Sequence, residues 1–126
     1  MNNDFEPRKV IDSEEWASFL PEFALRNNDR RARFEVYRAD GSVDEEGQEM
    51  HLEDLEVVEH NGHYDVKVIR IERGEELAEK VEDHIEKVRG VAVQIETDGS
   101  EGAIEFVDGA NELITLRMES RIDGVS

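Results

Sequence analysis

The feature that most constrains the fold is a pair of apolar runs joined by Asn61-Gly62. The two runs extend from Leu55 to Ile71 and read LEVVEHNGHYDVKVIRI. Asn-Gly is the dipeptide preferred in the two-residue type I′ turn that connects adjacent antiparallel strands. We therefore predict a long β-hairpin, and we expect the rest of the sheet to form beside it.

Two histidines flank this turn and are the nearest approach to a chemical motif in the chain. A two-residue turn makes His60 and His63 cross-strand neighbours, with Cβ atoms within about 5.5 Å. The two imidazoles could share a metal ion, but strand alternation points Glu59 to the other face. A third ligand, such as His51, would have to come from elsewhere. Because so few ligands converge, we predict no metal and no cofactor, and His60, His63 and His51 stay as the candidates to check.

One amphipathic helix is predicted near the start of the chain. Asp12 is placed to cap it, with Glu15 closing a capping box. Its apolar face is formed at helical spacing by Trp16, Phe19, Leu20 and Phe23. We expect this face to cover one side of the sheet, and we expect Pro21 to kink or break the helix.

A second helix is predicted over residues 75–88, EELAEKVEDHIEKV. The segment is rich in strong helix formers, and Gly90 is placed as a C-terminal stop. Its apolar stripe consists of Leu77, Val81, Ile85 and Val88. The charged remainder of the segment is typical of a solvated helix face.

The remaining strands complete the predicted fold. A strand is indicated at Arg33 to Arg38, and a polar loop follows from Ala39 to Met50. Three short β-rich runs then occupy residues 91–95, 103–107 and 113–118, separated by the turn sequences TDGSEG and DGAN. The fold class predicted is α+β: about six strands in a mainly antiparallel curved sheet, an N-terminal helix packed on one face, and a second helix before a C-terminal three-strand meander. We expect a single domain over residues 11–119, with flexible segments at 1–10 and 120–126.

The basic residues near the end of the first helix form the only basic cluster, Arg26, Arg30, Arg31 and Arg33. Guanidinium groups suit bidentate recognition of phosphate or carboxylate, so the cluster could contact an anionic ligand. The competing interpretation is that these arginines pair with the many carboxylates around them. The sequence leaves both interpretations open.

Charge and composition set the wider limits. The chain has 33 acidic residues against 15 basic ones, for a net charge of -18. This balance suits a salt-rich environment, where screening relieves self-repulsion, and we expect a halophilic cytoplasmic protein. It disfavours direct nucleic-acid binding. The absence of cysteine excludes disulfides and thiolate chemistry, and no apolar run reaches the length of a membrane span.

The chain also resembles a known family. The features that carry the likeness are the Trp16-x-x-Phe19 helix with Phe23, the long hairpin, the His84-Ile85 pair and the closing IEFVDGANELITLRM. Together these resemble a family of small acidic domains of unknown function found in halophiles and other prokaryotes. The resemblance implies a fold of one helix followed by antiparallel strands, and it carries no catalytic residue over to this chain.

No nucleophile motif or phosphate-binding loop is present, so an enzyme is not indicated. The function predicted is a non-enzymatic binding or regulatory module, a monomer or weak dimer, with a protein or small-molecule partner of unknown identity. The first alternative is a small-molecule or metal-binding protein, which could be an enzyme, that uses the histidine pair and the arginine cluster. A third hypothesis is an acidic mimic of nucleic acid, which would use the same negative charge that salt adaptation explains.

Overall fold

A computed structural model of the protein describes residues 8–73 and 78–119. Its one α-helix, α1, is Trp16–Arg26, and a 3₁₀ turn at Ser13–Glu15 leads into it. The strands in chain order are β1 Arg8–Ile11, β2 Arg31–Tyr37, β3 Val43–Glu45, β4 Met50–His60, β5 His63–Arg73, β6 Ala78–Ile85, β7 Gly90–Ile95, β8 Glu101–Val107 and β9 Leu113–Met118. Within these ranges, no helix has the length and apolar character that crossing a membrane requires.

The predicted α+β fold with six strands and two helices is wrong. The described chain is largely antiparallel sheet, with nine strands and one short helix. All six predicted strands are present, and β1, β3 and β6 are added to them. β3 lies in the segment predicted as a polar loop, and β1 begins inside the predicted N-terminal flexible segment. The rest of that segment, residues 1–7, and the predicted tail at 120–126 lie outside the described residues.

The predicted second helix is replaced by β6, which pairs with β5 from Ala78 to Ile85. The apolar stripe misled because its spacing is ambiguous: residues four apart share a face on a helix and also on a strand, since four is a multiple of two. Val81 and Ile85 accordingly point to the same side of the sheet. Pairing along the whole exposed edge of β5 outweighs the helix propensity of the lysines and glutamates.

Helix α1 covers the sheet as predicted, although its start differs from the prediction. Asp12 makes no side-chain capping hydrogen bond, so the capping box is wrong. Instead, the indole Nε1 of Trp16 donates to the carbonyl of Ile11 over 3.0 Å. The helix continues through Pro21, which lies on its exposed side, and packs against β4. The indole of Trp16 is therefore held in place by its hydrogen bond to Ile11 and by its position on the buried face of the helix.

The sheet curls around one core. Its strand order is β1-β7-β8-β9-β2-β4-β5-β6, with β3 beside β2. Laid flat, these eight strands would span about 34 Å at the usual strand spacing. One apolar cluster nevertheless joins α1 to residues of every strand except β3, from Ile11 on β1 to Ile85 on β6. The sheet must therefore wrap around the helix, which brings the end of β6 and the β4–β5 turn close to the start of α1.

A fork opens in the sheet where β2 parts from β4. These strands pair only at Arg31 and Ala32, and β3 occupies the rest of that edge of β2. Arg70, which is 1% exposed, fills the fork. Its guanidinium donates to both carboxylate oxygens of Glu46 at 2.7 and 3.0 Å and to the carbonyl of Ala32 at 3.2 Å. It also lies 4.6 Å from the ring centroid of Phe34.

The sheet face opposite the helix carries a buried polar network around Glu35 on β2. This carboxylate is 4% exposed and accepts hydrogen bonds from Tyr37 at 2.8 Å, Arg117 at 3.1 Å and Arg33 at 3.2 Å. Burial disfavours its charged form, but these hydrogen bonds outweigh burial, so the pKa of Glu35 is lowered. The hydroxyl of Tyr37, which donates to this carboxylate in a buried setting, has a raised pKa.

Glu35 predicts an acid-dependent loss of stability. Because its folded pKa lies below its unfolded one, the ionised group stabilises the fold fully above about pH 5, and this contribution disappears as the pH falls through the lowered pKa. Glu35→Gln should cost about 1–3 kcal/mol at pH 6, and the cost should shrink toward pH 3. Denaturant unfolding in molar salt would measure both. Glu59→Gln, an exposed control, should cost little at any pH, and a pH-independent cost for Glu35→Gln would contradict the prediction.

Candidate functional site

A groove of about 490 Å³ lies beside the β4–β5 turn, where the curl of the sheet brings four segments together. We name it the hairpin groove. It is lined by the start of the helix, the turn and the segments after β6 and β8, namely Ser13, Trp16, Gly62, His63, Tyr64, Lys87, Val88, Arg89 and Gly109. It combines an aromatic wall with a basic rim.

The aromatic wall consists of Trp16 and Tyr64. Their ring centroids are 6.0 Å apart with planes at 77°, an edge-to-face contact. Trp16 is 4% exposed and is held by its bond to Ile11, whereas Tyr64 is 41% exposed. The backbone of Val88 donates to the carbonyl of Tyr64 at 2.8 Å, which ties the wall to the basic segment. Tyr64 therefore presents a fixed ring to solvent.

The basic rim consists of Lys87 and Arg89. Most described arginines pair with carboxylates, as expected in a chain with two acids for each base. Among the described residues, by contrast, neither the ammonium of Lys87 nor the guanidinium of Arg89 has an ion-pair or hydrogen-bond partner. Both side chains are exposed. Their donors are therefore open to a ligand.

Lys87 is held in an unusual backbone conformation. Its φ is 53°, in the left-handed region that residues other than glycine rarely adopt. Its N–H donates to Oδ1 of Asp65 at 2.9 Å, and the same oxygen lies 3.5 Å from Nε2 of His63. A Cβ at position 109 would stand 2.8 Å from the Cβ of Lys87, so Gly109 leaves the space that this turn needs. Asp65 and Gly109 thus hold the backbone of Lys87 in this conformation.

The predicted histidine pair is formed. His60 and His63 are directly opposite in the register, with ring centroids 5.5 Å apart. Asn61 and Gly62 both have positive φ, 52° and 83°, as a type I′ turn requires. His63 lines the hairpin groove. The hairpin prediction is confirmed, and it brings one of the candidate residues to the site.

His51 does not join the other two histidines. It lies on β4 opposite Arg31 and Ile71, at the end of the hairpin far from the turn, and its Nδ1 is buried without a partner among the described residues. No group of three or more histidine, aspartate or glutamate side chains is arranged to hold a metal in residues 8–73 and 78–119.

The predicted arginine cluster is spread over separate contacts. Arg26 binds both carboxylate oxygens of Glu101. Arg30 is buried and donates to the backbone carbonyls of Glu101 and Glu119. Arg31 lies near Glu49 and Glu72, and Arg33 near Glu35 and Glu49. These contacts are the structural pairing that the sequence left as one of two interpretations, and anion contact by the cluster stays a prediction.

Sequence reasoning missed the residues of the rim and of the wall. Lys87 falls in the charged remainder of the predicted second helix, Trp16 in the helix face predicted to cover the sheet, and Tyr64 in a strand of the predicted hairpin. No local pattern indicates Lys87 or Arg89, because both lie in the connection between β6 and β7, inside or beside the segment predicted as a helix.

Comparison with known proteins gives no further guide to the role of this groove. No protein-family model, curated protein or solved structure significantly matches the chain, so function has to be inferred from the geometry of the groove.

Proposed function

We propose that this chain is a non-enzymatic binding module whose hairpin groove takes a small organic anion with a planar ring. The carboxylate or phosphate group of the ligand would contact Lys87 and Arg89, and its ring would pack on Tyr64. The observation that carries the proposal is that these two cations have no partner in the described chain although acids outnumber bases by 33 to 15.

The strained turn at Lys87 supports the same conclusion. A left-handed residue other than glycine costs about 1 kcal/mol or more and persists only where neighbouring contacts impose it. Here the carboxylate of Asp65 and the space at Gly109 impose it. The result is that the backbone from Lys87 to Arg89 is already set at the edge of the groove, so only the two side chains have to be ordered when a ligand binds.

The setting that we propose is a salt-rich cytoplasm, supported by the net charge of -18. At low ionic strength this charge repels anions from the whole surface. In about 1 M salt the screening length falls to about 3 Å, so distant carboxylates no longer oppose a ligand that touches the rim directly. Anion affinity should therefore rise when salt is increased from about 0.1 M to 1 M, contrary to the usual weakening of ion pairs by salt.

The test uses Trp16, the single tryptophan of the chain and part of the groove wall. Phenyl phosphate and benzoate should change its fluorescence with dissociation constants on the order of 0.1–1 mM in molar salt. Benzylamine, which carries the ring with the opposite charge, and inorganic phosphate, which lacks the ring, should bind at least about tenfold more weakly. Equal binding of benzylamine and benzoate would contradict the proposal.

Matched variants locate the site. Arg89→Gln and Lys87→Gln should each weaken phenyl phosphate binding about three- to fivefold, the range for one exposed charge contact. Lys80→Gln makes the same change in net charge on β6, at a lysine outside the groove, and should have no effect. Tyr64→Leu should weaken binding where Tyr64→Phe does not. If Lys80→Gln weakened binding as much as Arg89→Gln, the affinity would depend on the overall charge of the protein and not on the groove, which would contradict the proposal.

A further inference from the structure

A second groove, of about 620 Å³, lies toward the C-terminal end of the helix, between α1 and the ends of β1, β7 and β8. We name it the helix groove. Its floor is apolar and is made by Phe19, Val93 and Ile95. None of its lining residues lines the hairpin groove, so the two sites are separate.

One wall of the helix groove is closed to ligands. Arg26 holds Glu101 through two hydrogen bonds of 2.7 and 3.2 Å, and its guanidinium carbon lies 5.4 Å from the ring centroid of Phe19. Asn27 donates to the same carboxylate at 2.9 Å. Burial opposes the charge of Glu101, but these donors outweigh it and lower its pKa. Arg26 and Glu101 therefore form a neutral, fixed pair.

The opposite wall carries an unbalanced charge. Lys9 on β1 stands in register with Val93, so it lies on the side of the sheet that faces the helix. Among the described residues its ammonium has no ion-pair or hydrogen-bond partner. With Arg26 and Glu101 cancelling, the groove holds one net positive charge beside an apolar floor.

We infer that the helix groove binds a free straight-chain monocarboxylate of medium length. The carboxylate would contact Lys9, and the alkyl chain would lie over Phe19, Val93 and Ile95. The single positive charge of the groove matches a ligand with one negative charge, and the apolar floor leaves the rest of the ligand without polar partners. This site is independent of the hairpin groove, because it uses different residues and selects an aliphatic chain rather than a ring.

The test follows the amide resonances of Gly99 and Ser100, which line the helix groove, during titration with hexanoate, octanoate and decanoate. Half-burial of the chain should strengthen binding about twofold for each added methylene. Octylammonium, which carries the same chain with the opposite charge, should bind at least about tenfold more weakly than octanoate. Affinity independent of chain length, or equal binding of the cation and the anion, would overturn the inference.

Two variants separate a built site from general charge attraction. Lys9→Gln should weaken octanoate binding about three- to fivefold. Lys80→Gln, which removes the same charge from a lysine outside both grooves, should leave it unchanged. Phenyl phosphate binding, read from Trp16, should be the same in Lys9→Gln as in the unmodified protein. Octanoate shifts confined to the hairpin groove, or equal losses in Lys9→Gln and Lys80→Gln, would show that the helix groove is not the site.

Discussion

Arg70→Ala is expected to lower the free energy of unfolding by about 2–5 kcal/mol, the range for truncating a large buried side chain. The substitution empties the fork between β2 and β4 and removes the guanidinium that donates to the carbonyl of Ala32 and to both carboxylate oxygens of Glu46. It also removes the cation that lies over the ring of Phe34. Urea unfolding in molar salt, followed by circular dichroism, measures the loss.

The control for this prediction is an exposed arginine. Arg38 pairs with Asp44 and Glu112 at the surface, and Arg38→Ala should cost at most about 1 kcal/mol. Arg70→Met, which keeps most of the side-chain volume, should cost less than Arg70→Ala if filling the fork is the main role of Arg70. A double-mutant cycle with Glu46→Gln then gives the coupling between the two charges. Equal costs for Arg70→Ala and Arg38→Ala would show that the fork needs no buried cation.

Salt is expected to have the second large effect. Between about 0.1 M and 2 M potassium chloride, screening should stabilise the fold by about 3–8 kcal/mol, because the net charge of -18 repels itself more strongly in the folded chain than in the expanded one. For a domain of this size that corresponds to a rise in melting temperature of about 10 °C or more. Differential scanning calorimetry over a salt series measures it.

A charge-reduced variant distinguishes screening from other effects of salt. Glu14, Glu53, Glu59 and Glu79 are exposed and form no ion pair with any described residue. Changing all four to glutamine alters the net charge from -18 to about -14, and it should raise the melting temperature in dilute buffer and flatten the salt dependence. A melting temperature that does not respond to salt would remove the environmental explanation, and it would favour a functional role for the acidity, such as mimicry of nucleic acid.

The strands that could be predicted are those whose signal is local. Asn61-Gly62 determines its own turn, and the DGS and DGAN sequences form turns through aspartate side chains: Asp98 accepts from the backbone of Ser100, and Asp108 from that of Ala110. The missed strands lack such a signal for different reasons. β1 is four residues paired with β7, at least 80 positions away. β3 pairs with the neighbouring β2, but three exposed residues are too few to show a period-two pattern. β6 pairs with the preceding β5, but its helix-forming composition hid it.

Only part of the candidate site could be predicted, for the same reason. The His60–His63 pairing follows from the turn alone. The meeting of Trp16, Tyr64 and Arg89 requires that the sheet wrap around α1, which depends on contacts between residues far apart in the sequence. Arg70 stands among the apolar residues of β5, and nothing in the sequence indicates that its side chain is buried.

The strand order also limits how quickly this chain can fold. β1 pairs with β7, and β2 pairs with β9. The backbone hydrogen bonds of these two N-terminal strands therefore cannot all form until the last three strands of the sheet have been synthesised. Such long-range pairing slows folding and leaves partly folded chains exposed for longer. During synthesis the apolar face of Trp16, Leu20 and Phe23 therefore lacks the part of its cover that β7, β8 and β9 supply. We expect the net charge of -18 to offset this exposure, because like-charged nascent chains repel one another before they can aggregate.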